Sequence, residues 1–169
     1  MNRIIIPNFL TEKAKAHLFQ GYGEHFLFFL CFIEDKDGLI FNAQDVILIE
    51  DKDLAQSEDL ALEIQLPVLI GIMNKANRDG LALVEAHNHS SRYRIGFSST
   101  DIRGFAEFVP YVLGTLGRPY GATVWHPKGV VAVCWTTKST RAVKMEVRIT
   151  PQKVKTNHKK RGGPNERFG

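Results

Sequence analysis

His87 and His89 stand two residues apart, and residues two apart on a strand point to one face, so both imidazoles can reach a single ion at about 2.0 to 2.1 Å. Asn88 between them points the other way. Eight residues separate His89 from Ser98, enough for a loop to fold back and let Asp101, in the first turn of a following helix, complete a three-ligand site. Such a site leaves one position open for water. Each fragment alone is weak, since Ser-x-x-Asp before a helix is by itself a capping pattern. Their conjunction in this order at a strand-to-helix junction points to metal chemistry.

The elements that must position these residues can be read outward from them. Leu81-Ala82-Leu83-Val84 follows Gly80 and reads as a central strand that delivers Glu85 to His89 to a loop. After Thr100, Ile102, Phe105, Val109, Val112 and Leu116 recur at helical spacing, with Pro110 expected to kink or split the helix. Upstream, Thr11 looks like the N-cap of a short helix carrying Ala14, Leu18 and Phe19, ended by Gly21 and Gly23. Phe26 to Ile33 reads as a buried strand closed by the acidic turn Glu34 to Gly38, and Val46 to Ile49 as a further strand. Pro67 can open a helix that turns Leu69, Ile70 and Met73 toward a core and stops between Asn77 and Gly80. Tyr120 to Trp125 and Val130 to Trp135 read as two strands around the turn His126 to Gly129. The expected architecture is α/β: a mixed sheet flanked by helices.

The string His-x-His, eight residues, Ser-x-x-Asp resembles the signature of the JAMM (MPN+, or JAB-type) zinc metalloproteases, in the compact prokaryotic deubiquitinase-like form. In that family a glutamate stands before a buried strand, and Glu24 in Gly23-Glu24-His25-Phe26-Leu27-Phe28 occupies that place. Glu12, Glu34 and Glu85 are rival acids without that placement. The resemblance spans residues 10 to 135 in element order, and its specific motif covers Glu24 and residues 87 to 101. Ser90 departs from it, standing where the family has proline.

The resemblance implies an MPN/JAB-like fold with His87, His89 and Asp101 as ligands of one zinc ion per chain. It also implies Glu24 as general base for the zinc-activated water and Ser98 as donor to the developing oxyanion. The implied reaction is cleavage of an isopeptide or peptide bond after the C-terminal glycine of a ubiquitin-like protein. The implied partners are that protein, its conjugates, and the activating (E1-like) and conjugating (E2-like) enzymes of the same pathway. Rival readings are an inactive MPN-like scaffold, in which the ligands are missing, and a RadC-like JAB protein with a nucleic-acid-related role. RadC-like proteins share the Asn between histidines, but have a longer His-to-Ser spacing. An HNH nuclease is excluded because its named residues are dispersed over a hairpin and a helix.

Composition bounds the rest. The 169 residues, 44% hydrophobic and 24% charged, suit one soluble globular domain. Phe26 to Ile33 is the longest apolar run, too short for a bilayer, and no signal-peptide pattern opens the chain, so a cytoplasmic protein without membrane association is expected. Cys31 and Cys134 lie in separate apolar runs and read as buried free thiols. The net +4 conceals an asymmetry: residues 1–137 carry 12 basic against 16 acidic side chains, and residues 138–169 carry 10 against 2. A metalloprotease domain over 1–150 and a flexible basic tail over 151–169 are therefore expected. The tail could neutralise phosphates, but aromatic residues are almost absent from it, so dedicated single-strand nucleic-acid binding is not expected. Its Arg161-Gly162-Gly163 resembles a ubiquitin-like terminus. Residues 34–63 hold 10 acids and 2 lysines and could face a basic partner or simply be solvated.

Overall fold

The computed structural model describes residues 1–55 and 63–151. The basic tail beyond Pro151, with Arg161 to Gly163, and part of the acidic segment, with Glu58 and Asp59, lie outside the described residues. Seven strands form a closed barrel in the order β1-β3-β2-β4-β5-β6-β7. They are β1 (Arg3–Pro7), β2 (Phe26–Asp35), β3 (Leu39–Ile49), β4 (Ala82–Asn88), β5 (Tyr120–His126), β6 (Gly129–Trp135) and β7 (Val143–Thr150). Among the described residues, three α-helices accompany them: α1 (Asn8–Leu18), α2 (Leu66–Asp79) and α3 (Ser99–Leu116).

This corrects the expected architecture. The fold is not an open α/β sheet of MPN/JAB type flanked by helices, but a mixed barrel in which strands dominate. The sheet closes through two strands outside the expected set, β1 and β7. β1 pairs in parallel with both β3 and β7, and β7 pairs antiparallel with β6, so the two ends of the sheet are joined. The remaining ladders are antiparallel for β2–β3, β2–β4 and β5–β6, and parallel for β4–β5, where α3 supplies the crossover.

Local differences have local causes. Pro7 ends β1 and caps α1, so Thr11 falls inside the helix, buried, with its hydroxyl donating to the Pro7 carbonyl at 3.3 Å. Pro110 sits inside a continuous α3 on its solvent face, where the Ala106 carbonyl it frees can be hydrated. Ile102 and Ile70, expected in the core, are 61% and 43% exposed. α2 ends at Gly80, whose φ of 67° is the left-handed C-cap conformation that glycine adopts without penalty. Asp53, in a single 3-10 turn over Asp51–Asp53, accepts from the Glu50 amide at 2.9 Å, which gives this part of the acidic segment a capping role.

The core lies on both faces of the sheet, and β4 is buried throughout. Ala82, Val84 and Ala86 join Ile4, Ile6, Leu27, Phe29, Phe41 and Trp125 in a cluster that α1 covers with Leu10, Ala14 and Leu18. Leu83 joins the second cluster, formed by Phe28, Leu30 and Tyr120 with Ile72 and Met73 of α2 and Phe105, Val109 and Val112 of α3. A strand packed on both sides cannot shift register without exchanging the two clusters, so the residues at its end are held firmly. Among the described residues, no helix is long and apolar enough to cross a membrane.

Candidate metal centre

His87 is the penultimate residue of β4, paired with Phe26 of β2 on one side and Val124 of β5 on the other. His89 follows the strand end and keeps the ladder going through its amide, which donates to the Trp125 carbonyl at 2.8 Å. The two imidazoles share a face, as the alternation requires, and their Nε2 atoms are 3.3 Å apart. The face is walled by aromatic rings: Phe26 stacks on His87 at 5.2 Å, Phe97 lies 6.3 Å from it, and Tyr93 lies 5.9 Å from His89. Both histidines are at least nine-tenths buried.

Asp101 arrives from the first turn of α3. Its Oδ1 is 3.3 Å from His87 Nε2 and its Oδ2 is 3.4 Å from His89 Nε2. A reciprocal capping box fixes the carboxylate, with the Ser98 amide donating to Asp101 Oδ2 at 2.6 Å and the Asp101 amide donating to Ser98 Oγ at 3.1 Å. The Ser98–Asp101 pair is thus both a helix start and the support of a candidate ligand. Ser98 itself is exposed, and its oxygen is engaged as a cap while its hydroxyl hydrogen has no acceptor among the described residues.

His87, His89 and Asp101 form a group able to hold a metal ion. Donors arranged tetrahedrally at about 2.0 to 2.1 Å are separated by about 3.3 to 3.4 Å; the two imidazole Nε2 atoms have that spacing, and each has one of the two Asp101 oxygens at 3.3 or 3.4 Å. Neutral imidazoles with one carboxylate are a donor set suited to a borderline divalent cation. Burial disfavours a charged His87, but the Asp101 hydrogen bond and the Glu85, Asp101 and Glu24 charges outweigh it and raise its pKa. Burial likewise opposes ionisation of Asp101, yet the His87 hydrogen bond and charge and the Ser98 bonds bring it down to about 2.

Of the four glutamates weighed from the sequence, Glu24 alone stands at the open side of the cluster. Its side chain is 44% exposed and its Oε1 lies 3.7 Å from His89 Nε2, beyond the three-ligand triangle. Glu12 is exposed on α1, and Glu34 pairs with Lys36 at 3.1 Å. Glu85 lies behind the site: it is 6% exposed, accepts from the Tyr120 hydroxyl at 2.5 Å, and places Oε1 4.0 Å from His87 Nδ1. His87 Nδ1 is buried and has no hydrogen-bond partner among the described residues. Burial raises the pKa of Glu85 against the effects of His87 and Tyr120, and burial with the Glu85 charge raises that of Tyr120.

Beside Glu24 lies a cleft of about 480 Å³ lined by Tyr22, Gly23 and Glu24 from one loop and Ser90, Ser91, Arg92 and Tyr93 from another, with Glu24 the residue that joins it to the cluster. The second loop is tied down by His126, whose Nδ1 accepts from the Lys128 amide at 3.1 Å, leaving Nε2 to donate to the Tyr93 carbonyl at 3.1 Å. The sequence reading missed Tyr120, His126 and the partners of Asn88. The first two sit in strands of ordinary composition, and only the fold brings them here.

No protein-family model matches the chain, and no curated protein matches it. Among solved structures, it is similar to the solution structure of protein DSY2949 from Desulfitobacterium hafniense, with a TM-score of 0.56 and 16% sequence identity over 88% of this chain and 94% of that one. At that identity the likeness concerns the fold alone.

Proposed function

We propose that the chain is a zinc-dependent hydrolase, similar in its chemistry to the JAMM metalloproteases, that cleaves an isopeptide or peptide bond after the C-terminal glycine of a ubiquitin-like protein. The observation that carries the reading is the convergence of His87, His89 and Asp101 at tetrahedral spacing with a glutamate, Glu24, on their open side. The fold does not contribute to it, because the barrel differs from the MPN/JAB architecture.

In this reading His87, His89 and Asp101 hold the ion, which when bound supplies Lewis acidity and a water acidified toward about pKa 7. Glu24 accepts a proton from the attacking water and returns it to the departing amine, which cannot leave as an anion. Partial exposure keeps Glu24 accessible to both water and leaving group. The Ser98 hydroxyl, engaged only as an acceptor, retains its hydrogen for the oxygen that turns negative in the tetrahedral intermediate. Glu85, hydrogen-bonded to Tyr120 behind His87, places Oε1 4.0 Å from His87 Nδ1 and adds negative charge on the side of the imidazole away from the cleft. A Gly-Gly terminus suits the cleft between Gly23 and Ser90, since no side chain hinders approach of its backbone.

The test is cleavage of a linear ubiquitin-like fusion, with the junction after the terminal Gly-Gly, by the zinc-loaded chain and its Glu24→Gln variant. The expected result is a loss of about a hundredfold or more in kcat with zinc retained. Equal rates in the two proteins, or no cleavage across a panel of ubiquitin-like fusions, would overturn the assignment.

A further inference from the structure

Asn88 lies between the two histidines, ends β4, and is 6% exposed. Alternation turns its side chain away from the ligand face, so it takes no part in the cluster. Its amide instead makes two hydrogen bonds to one short segment more than sixty residues away in sequence: Oδ1 accepts from the His25 amide at 2.6 Å, and Nδ2 donates to the Gly23 carbonyl at 3.1 Å. Those two backbone groups flank Glu24. The amide orientation is fixed by its partners, since an N–H must meet the oxygen and a carbonyl must meet the nitrogen.

The segment needs such support. Gly21 and Gly23 adopt φ of 58° and 93°, the ladder of β2 begins only at Phe26, and no backbone–backbone hydrogen bond holds residues 20–25 among those described. We propose that Asn88 is a positioning residue that clamps the main chain on either side of Glu24 and so fixes the glutamate against the His87–His89–Asp101 cluster. The proposal rests on the reading of Glu24 as the proton-transfer group. One strand position thereby sets two things at once: its neighbours hold the cation, and its own side chain sets where the glutamate stands. Only a primary amide presents a donor and an acceptor at the spacing of a peptide unit; aspartate would present two acceptors, one of them to the Gly23 carbonyl.

The test uses the full zinc-loaded chain and its Asn88→Ala and Asn88→Asp variants, with three readouts: zinc per chain, backbone hydrogen exchange at His25 by NMR, and steady-state kinetics on the fusion described above. In the parent chain the His25 amide is protected. In Asn88→Ala its exchange accelerates about fivefold or more while zinc stays near one per chain, and in Asn88→Asp, which keeps the acceptor, the acceleration is smaller. Both variants lower kcat and leave KM within about twofold, because the group displaced acts on the reaction rather than on binding. Unchanged exchange at His25 in both variants would overturn the clamp. Loss of zinc in both would also overturn it, by showing that Asn88 holds the ligand strand instead. Absence of cleavage by the parent chain would remove the hydrolase reading alone, since the exchange rates decide the clamp independently.

Discussion

Replacing His89 by alanine removes one member of the ligand triangle, whose Nε2 lies 3.3 Å from His87 Nε2 and 3.4 Å from Asp101 Oδ2. Two ligands remain, one of them a carboxylate already engaged by the Ser98 amide, and a two-ligand site binds zinc far more weakly than a three-ligand one. The consequence is measurable as stability. A cation at a thousand times its Kd stabilises the native state by about 4 kcal/mol, and for a chain of this length each kcal/mol raises Tm by about 2 to 4 °C. Zinc should therefore raise the Tm of the parent chain by about 8 to 16 °C and that of His89→Ala by less than about 2 °C. Glu24→Ala should keep the full shift, because Glu24 Oε1 lies 3.7 Å from His89 and outside the triangle. Thermal unfolding with and without zinc, beside metal analysis of the dialysed proteins, measures all three. A parent shift below about 2 °C at saturating zinc, or equal shifts in parent and His89→Ala, would refute the ligand assignment.

Tyr120→Phe strips Glu85 of the hydroxyl that meets it at 2.5 Å, leaving a buried carboxyl short of a donor; unfolding in urea should show a loss of about 1 to 3 kcal/mol. Burial raises the Cys31 thiol and pushes Cys134 up to about 11, so neither should react with a disulfide reagent at pH 8 until the chain is unfolded. A Cβ at Gly121 would stand 3.0 and 3.2 Å from the Val84 methyls and 3.3 Å from Met145 Cε, so Gly121→Ala should cost about 1 to 3 kcal/mol in equilibrium unfolding.

The site was legible because its signal is local: two histidines two apart, a capping serine and an aspartate three beyond it are read along the chain, and β4 and α3 then present them. Glu24 was legible only through the resemblance; nothing in its own neighbourhood distinguishes it from Glu12 or Glu34. The barrel was not legible. β1 is only five residues long and shows an unbroken Ile4-Ile5-Ile6 run, while β7 does alternate, Val143, Met145, Val147 and Ile149 against Lys144, Glu146, Arg148 and Thr150, but lies in the basic C-terminal stretch and buries only Met145 fully. Their pairing depends on partners far away in the chain. Asn88 was passed over for a related reason, since its hydrogen bonds reach Gly23 and His25, which no local pattern connects to it.

The seam between β1 and β7 joins Arg3 to Glu146 and Pro7 to Thr150. During synthesis on the ribosome, the first strand leaves the exit tunnel more than a hundred residues before the partner that completes its ladder. Until then β1 can pair only with Ile40 to Asn42 of β3, and the sheet is an open ribbon with two exposed edges. The candidate ligands emerge midway, on a ribbon that has not closed. Closure over so great a separation in sequence is slow compared with forming the β2–β3 hairpin, so the open edges of the nascent sheet persist until β7 has emerged and paired with β1.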